Sequence, residues 1–280
     1  MEITMTATQI CEKQLCSACG VCKNICPVNA IEMSEDEYGF LYPSINPDIC
    51  ISCGLCEKNC PNNLKAEKYM PKETLALQSK NFKLSSKSAS GGFFAQLAEY
   101  VLSVNGVIFG CTIKNKNTTF IIKHICIDNV KELYKLQGSK YVQSDIGNIY
   151  HQVKKILDNG TLVLFSGTPC QNAGLKNFLQ KDYQNLICVD LSCTGVPSSK
   201  MFNDYIEFLN KKFNITISNF EFRNKEKLGW NCGSILIKDS KNKEKIILNN
   251  LSSYTSLFIN KHIVRESCIK CQYNGLLRVS

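Results

Sequence analysis

The chain has no apolar stretch long enough to cross a membrane, and the nearest, residues 92–111, is broken by Gln96, Glu99 and Asn105. Residues 1–10 have neither a basic start nor an apolar middle, so no secretory leader is expected. Histidine is scarce, and His124, His151 and His262 form no ligand spacing; they are read as ordinary strand and helix residues. Lys211, Lys212, Lys241, Lys243 and Lys245 lack the interleaved aromatics and helix-turn-helix pattern of a nucleic-acid surface, and are most simply solvated. What the chain has in excess is cysteine, 17 of 280 residues. Without an export signal, that count points to a reducing, cytoplasmic compartment, where thiols hold metals rather than form disulfides.

Eight of these cysteines spell one pattern twice. Cys16, Cys19, Cys22 and Cys26 precede Pro27, and Cys50, Cys53, Cys56 and Cys60 precede Pro61, so C-x2-C-x2-C-x3-C-P occurs in both halves. This is the spacing of a ferredoxin with two 4Fe-4S clusters. Three cysteines at two-residue intervals wrap one cube, and the fourth, carried off by the helix near the proline, reaches the cube of the other half. The expected sets are Cys16, Cys19, Cys22 with Cys60, and Cys50, Cys53, Cys56 with Cys26. Gly20 and Gly54 hold matching places in the two loops, where the lack of a side chain brings backbone N–H groups to the sulfurs. Structural zinc is the rival, but it needs only paired cysteines in a tetrahedral set and has no use for a crossed fourth. The formal charge of +9 counts neutral cysteines; two cubes of about −2 each bring it to roughly +5.

The length leaves room for this ferredoxin and one further domain. Residues 30–43 read as a hairpin joining the two halves, and residues 62–73 as a polar linker. The expected fold is mixed α/β: a small dicluster ferredoxin-like domain over residues 1–70, then an α/β flavin-binding-type domain over residues 71–280.

Within the second part, residues 74–78 read as a first strand, followed by a serine-rich loop ending at Gly91-Gly92. Phe93, Phe94, Leu97, Val101 and Leu102 then recur at helical spacing. A glycine-rich loop at a helix N-terminus offers free N–H groups to an anion, so Ser88, Ser90, Gly91 and Gly92 could cradle a phosphate; taken alone they are better read as a plain helix cap. Gly138, Ser139, Lys140 and Tyr141 could meet a phosphate and stack on a ring, or form an ordinary turn and strand. Asp145 is expected to cap a helix running to Leu157.

Residues 161–165 read as a buried strand, Ser166-Gly167-Thr168 as a tight turn, and Pro169 as the first residue of a helix through Leu179. With the strand at 186–191 they make a βαβ unit, whose ligands gather at the carboxyl ends of the strands. Cys170 sits there at a helix N-terminus, where the dipole lowers a thiol pKa, so it is a candidate catalytic, redox or cofactor-facing residue. Cys193-Thr194-Gly195 occupies the same edge. A helix over 199–213, strands near 217–223, 234–237 and 245–248, and a short helix near 256–261 lead to Cys268-Ile269-Lys270-Cys271.

Behind the dicluster pattern, the stretches SASGGFFAQLAEYVL, QGSKYVQS, FSGTPCQNAGLKNFL, VDLSCTGVPS and RESCIKC, in that order, resemble the coenzyme F420 hydrogenase/dehydrogenase beta-subunit family over nearly the whole chain. The resemblance implies an iron-sulfur flavoprotein in which FAD exchanges a hydride with a soluble carrier, a deazaflavin in the archaeal members, and single electrons with the clusters. It assigns Ser90, Gly91, Gly92, Gly138, Ser139 and Lys140 to the flavin phosphates and ribose, and Ser166, Gly167, Thr168, Pro169, Cys170 and Gln171 to the ring. It makes Cys193, Cys268 and Cys271 three ligands of a third 4Fe-4S cluster. The fourth is open among Cys170, Cys188 and Cys232, since Gly275 stands where a further family-like cysteine would fall. Thr194 replaces a histidine found in many members, and the family chain continues past the last cysteine pair.

The expected protein is therefore an FAD-dependent iron-sulfur oxidoreductase. It would exchange electrons with a ferredoxin-like partner or a larger redox complex, and with a small-molecule acceptor such as coenzyme F420. A non-catalytic electron-relay subunit is the alternative, and flavin content separates the two.

Overall fold

The computed structural model describes residues 9–64, 69–227, 229 and 233–273. The cysteine repeat folds around an antiparallel hairpin of β1 (Ile31–Glu35) and β2 (Leu41–Ile45). Its turn is tied by Asp36, whose Oδ1 accepts the N–H groups of Tyr38 and Phe40 at 3.1 and 2.8 Å. On either side lies one short helix, α1 (Val21–Ile25) and α2 (Leu55–Lys58).

Beyond residue 69 come α3 (Phe82–Lys87) and α4 (Phe93–Ser103), then β3 (Val107–Lys116), β4 (Thr119–Ile127), α5 (Ile149–Asp158), β5 (Val163–Gly167), α6 (Pro169–Leu179) and β6 (Leu186–Asp190). The four strands form one mixed sheet in the order β4-β3-β5-β6, with β3, β5 and β6 parallel and β4 antiparallel to β3. Successive strand residues face opposite ways. Ile108 and Leu164 therefore pack with Ala95, Ala98 and Val101 of α4, whereas Phe109, Val163 and Phe165 pack with Tyr150, Val153 and Leu175 of α5 and α6.

After α7 (Ser199–Phe213), an antiparallel sheet of β7 (Ile217–Glu221), β8 (Ser234–Asp239) and β9 (Glu244–Leu248) covers α7 through Phe202, Phe220, Phe222, Ile235 and Ile237. Two short helices follow, α8 (Ser253–Ile259) and α9 (Glu266–Ile269). No helix among the described residues is long and apolar enough to cross a membrane.

Two local expectations fail. Residues 74–78 form no strand: Leu75 and Leu77 are 60% and 51% exposed, and the segment runs outside all three sheets. Its β-branched and apolar residues lack a paired neighbour, which strand propensity alone cannot supply. Asp145 does not cap α5 either. Its carboxylate takes the Gly147 N–H at 2.9 Å, and the helix begins only at Ile149.

The dicluster segment is seated on α5 and α6. The Tyr150 hydroxyl, fully buried, lies 2.7 Å from the Cys19 carbonyl and 2.8 Å from that of Gln171. Asn24 donates to the Gly147 carbonyl at 2.8 Å, Asn177 to that of Asn59 at 3.0 Å, and Gln143 to that of Ser17 at 3.0 Å. Gly174 permits this approach, because a Cβ there would lie 2.9 Å from Tyr150 Oη and 3.2 Å from Cys19 Sγ. Gly174→Ala is therefore expected to destabilise the protein by about 1–3 kcal/mol through overpacking. It should also loosen the Cys19 loop, which denaturant unfolding and the visible spectrum of the anaerobically isolated protein would show together.

Candidate metal centre

The two cysteine loops share one backbone. Ala18 and Gly20 are left-handed in the first (φ 50° and 79°), as are Ser52 and Gly54 at the matching places in the second (φ 52° and 71°). Such alternation turns successive N–H groups toward one point, a cradle for anions. The sulfurs receive them: Cys16 from Ala18, Cys19 from Val21, Cys22 from Lys23, Cys56 from Glu57, and Cys60 from Asn62 and Asn63. The Ala30 N–H reaches Cys26 Sγ at 3.2 Å. Hydrogen bonds to sulfur are how a protein holds and tunes cluster thiolates, so these residues fit the group.

The thiols fall into three groups. Cys16, Cys19, Cys22 and Cys60 are all buried. Burial pushes the Cys19 thiol well up and Cys22 up to about 12, with the neighbouring thiols adding to both. Cys16 and Cys60 are held down at about 6 and about 7, chiefly by a hydrogen bond from Cys11. Cys26, Cys50, Cys53 and Cys56 line a second cavity, walled by Val28, Ile31, Ile45 and Leu55. This group lies nearer the surface, with Cys53 exposed.

The third group comes from three separated loops. Cys170 opens α6, Cys193 follows β6, and Cys268 and Cys271 belong to and follow α9. Burial pushes Cys170 up to about 11, and the charges of Cys193 and Cys271 act on it as well. Cys268, also pushed up to about 11 by burial, feels Cys170 and Cys271. The loops are packed tightly, since a Cβ on Gly195 would lie 2.9 Å from Val264 Cγ1 and 3.3 Å from Cys268 Cβ. The Arg265 N–H donates to the Val196 carbonyl at 3.0 Å. Ser267 Oγ is buried beside Cys268 without a partner among the described residues, as a hydroxyl aimed at cluster sulfur would be. Cys188 instead lies within β6, among α5 and α6 side chains. Cys232 and Gly275 lie outside the described residues. Among the described residues, no three His, Cys, Asp or Glu side chains close on a single ion.

The residues assigned to a flavin occupy two places. Gly92, left-handed, is the N-cap of α4 and offers no side chain to the first-turn N–H groups, which is what an anion site at a helix start requires. Gly91 presses on Leu77, whose carbonyl oxygen a Cβ would meet at 2.1 Å. Lys225 Nζ donates to the carbonyls of Ser85 and Ser90 at 2.7 and 2.8 Å and fixes this loop.

The second place joins residues 138–144 to the turn after β5. Gln171 Nε2 donates to Ser144 Oγ and O at 3.1 and 3.2 Å, and His124 bridges Ser144 Oγ at 2.9 Å and the Ser166 carbonyl at 3.0 Å. Burial lowers the His124 pKa to about 4, which keeps the ring neutral for this double role. Much of this second place is already satisfied internally. Thr168 and Gln171 close a capping box on each other, and Lys140 turns its ammonium to the carbonyls of Lys135 and Gln137 at 3.2 and 2.7 Å. Gly138 and Ser139 lie at the surface end of that segment, next to the half-buried Lys140. Among the described residues no hydrogen bond links the Ser90–Gly92 loop to Ser166–Gln171.

Sequence reasoning missed four participants. Cys11 belongs to no motif, yet its thiol meets Cys16 and Cys60. Tyr273, 5% exposed, packs on Cys170 and Cys271 and feels the charges of Cys19 and Cys60, so it stands between the first and third groups. Lys225 and Arg265 look like ordinary surface charges in the sequence. Only a cation just ahead of the Cys268-x-x-Cys271 pair could have drawn attention to the last.

Residues 15–64 match the 4Fe-4S dicluster domain, and residues 160–276 match the C-terminal region of the coenzyme F420 hydrogenase/dehydrogenase beta subunit. A chain of the F420-reducing NiFe hydrogenase complex from Methanosarcina barkeri is similar at 16% identity and a TM-score of 0.41, over 63% of this chain and 60% of that one. The present chain thus spans less than two thirds of the length of that relative. No curated protein matches.

Proposed function

We infer that this chain, an iron-sulfur electron-transfer subunit of the coenzyme F420 hydrogenase/dehydrogenase type, carries electrons along three cubes between a protein partner and a flavin site. The observation that carries the reading is the placement of the thiols. A group that reaches the surface at Cys53 leads to a buried one, and Tyr273 stands between that group and Cys170 and Cys271 of the third.

The outer group suits exchange with a ferredoxin-like protein or a larger redox complex, since Ile49 and Ile51 beside it are 47% and 60% exposed. The buried group is shielded from water by α5 and α6. Cys170, a candidate catalytic thiol by its sequence position, is the natural fourth member of the third group. Its pKa is raised rather than lowered, because burial outweighs the helix dipole.

Ser90, Gly91 and Gly92 would hold the phosphates of FAD at the α4 N-terminus, and Ser166–Gln171 would adjoin its ring. A flavin there supplies the exchange between a hydride and single electrons, with coenzyme F420 or another small molecule as acceptor. Lys225 keeps the phosphate loop in shape. Lys225→Met is expected to lower flavin retention about tenfold, the worth of a charge-assisted hydrogen bond, while iron and sulfide stay at parent levels.

The relay reading has its own support in the closed capping box at Thr168 and in the inward turn of Lys140. Iron, sulfide and flavin analysis of the anaerobically isolated chain decides between them. About one FAD per chain establishes the flavoenzyme, and full clusters without flavin establish the relay.

A further inference from the structure

Arg265 is wholly buried, at 0% exposure, directly ahead of α9. Its Nε donates to Gln143 Oε1 at 3.1 Å, Nη1 to the Cys16 carbonyl at 3.0 Å and Nη2 to the Leu41 carbonyl at 2.7 Å. The rings of Tyr42 and Phe40 lie 4.5 and 5.1 Å from its guanidinium carbon. Every one of these partners is neutral. Asp36 and Glu266 act on neighbouring Tyr42, yet among the described residues neither pairs with the guanidinium.

A buried cation is strongly disfavoured unless an anion compensates it. The groups placed to do so are the thiols. The guanidinium bonds the backbone of Cys16, and Cys268 stands one helical turn on from Arg265, its N–H donating to the Arg265 carbonyl at 2.9 Å.

We propose that Arg265 is the shared counter-charge of the Cys16/Cys19/Cys22/Cys60 cluster and the Cys170/Cys193/Cys268/Cys271 cluster, raising the reduction potential of both. The proposal rests on the three-cluster reading above. Each cube takes one electron and becomes one unit more negative, with no bond made or broken. A fixed positive charge in a low-dielectric site stabilises that reduced state. Arg265 is thus a positioning residue that acts through the field, and it lies where the dicluster segment meets the rest of the chain. The Cys26/Cys50/Cys53/Cys56 cluster has no such contact and serves as the internal reference.

The test is an anaerobic redox titration of the full chain followed by electron paramagnetic resonance. Arg265→Gln is expected to lower the reduced-to-oxidised ratio of the two neighbouring clusters at least about tenfold at fixed potential, a downward shift of about 59 mV for one electron. The reference cluster should stay in place, and Arg265→Lys, which keeps the charge, should recover more than half of the shift. Gln143→Glu leaves Arg265 present and puts a carboxylate at its Nε. It should lower the same two potentials, and it keeps the question open to measurement if Arg265→Gln does not fold.

A uniform shift of all three clusters, or none in either variant, overturns the proposal. So does an Arg265→Lys chain that recovers none of the shift. A parent chain that assembles only the two dicluster cubes sinks the three-cluster reading instead, and with it the shared role. Iron content, measured first, distinguishes the two failures.

Discussion

Cys170→Ser is expected to lower the iron of the anaerobically isolated chain from about twelve to about eight per molecule, with sulfide falling in step. Three of the four thiols in that group come from loops that meet only in the folded chain, and Cys170 is the one presented by the N-terminus of α6. Pro169 and the Thr168–Gln171 capping box fix that helix start, so a serine at 170 should leave the fold intact. Serine is a poor substitute ligand for iron that prefers thiolate. The two dicluster signals should persist, because neither of their ligand sets includes residue 170. A variant that keeps about twelve irons would remove Cys170 from the ligand set, and a parent with about eight would remove the third cluster.

Cys26→Ser is expected to abolish the cluster built on Cys50, Cys53 and Cys56, taking about four irons, while the Cys16, Cys19 and Cys22 cluster survives. The reason is geometric. Cys26 closes α1, its sulfur takes the Ala30 N–H at 3.2 Å, and it lines the same cavity as the three cysteines of the second loop. The mirror variant, Cys60→Ser, should strike the buried cluster instead, since Cys60 lies with Cys16 and Cys22. There Cys11, already in contact with Cys16 and Cys60, is the nearest spare thiol. Spectroscopy in which Cys26→Ser removes the cluster of its own loop would contradict the crossed assignment.

Cys11 shows why part of this site is invisible in the sequence. Nothing in a lone cysteine a few positions ahead of Cys16 distinguishes it from a packing thiol. What brings it in is Asn63, which donates to the Ile10 carbonyl at 2.6 Å and draws the chain against the second half of the repeat. Lys140 is the converse. A small-basic-aromatic cluster suggests a hand on a phosphate, but the ammonium folds back onto two carbonyls, and burial lowers its pKa to about 8. The strand expected at 74–78 does not form, its backbone meeting the Gly91 loop rather than a sheet edge, whereas the βαβ unit from Val163 to Asp190 forms where its apolar runs and Pro169 place it.

Features written over a few residues were legible before any fold was known, because local backbone preference is enough to produce them. The paired C-x2-C-x2-C-x3-C-P runs, with left-handed positions at Gly20 and Gly54, set the shape of each cluster loop. Apolar runs set the parallel strands, and Thr168-Pro169 set the start of α6. Which loops meet is a property of the assembled chain. The loops that carry Cys170, Cys193 and the Cys268–Cys271 pair are separated by long stretches of sequence and become neighbours because parallel strands send their carboxyl ends to one edge, where the Gly195 loop packs on Val264 and Cys268. Arg265 reads as any surface cation until that packing closes over it, because burial belongs to the whole core and not to any single stretch of chain.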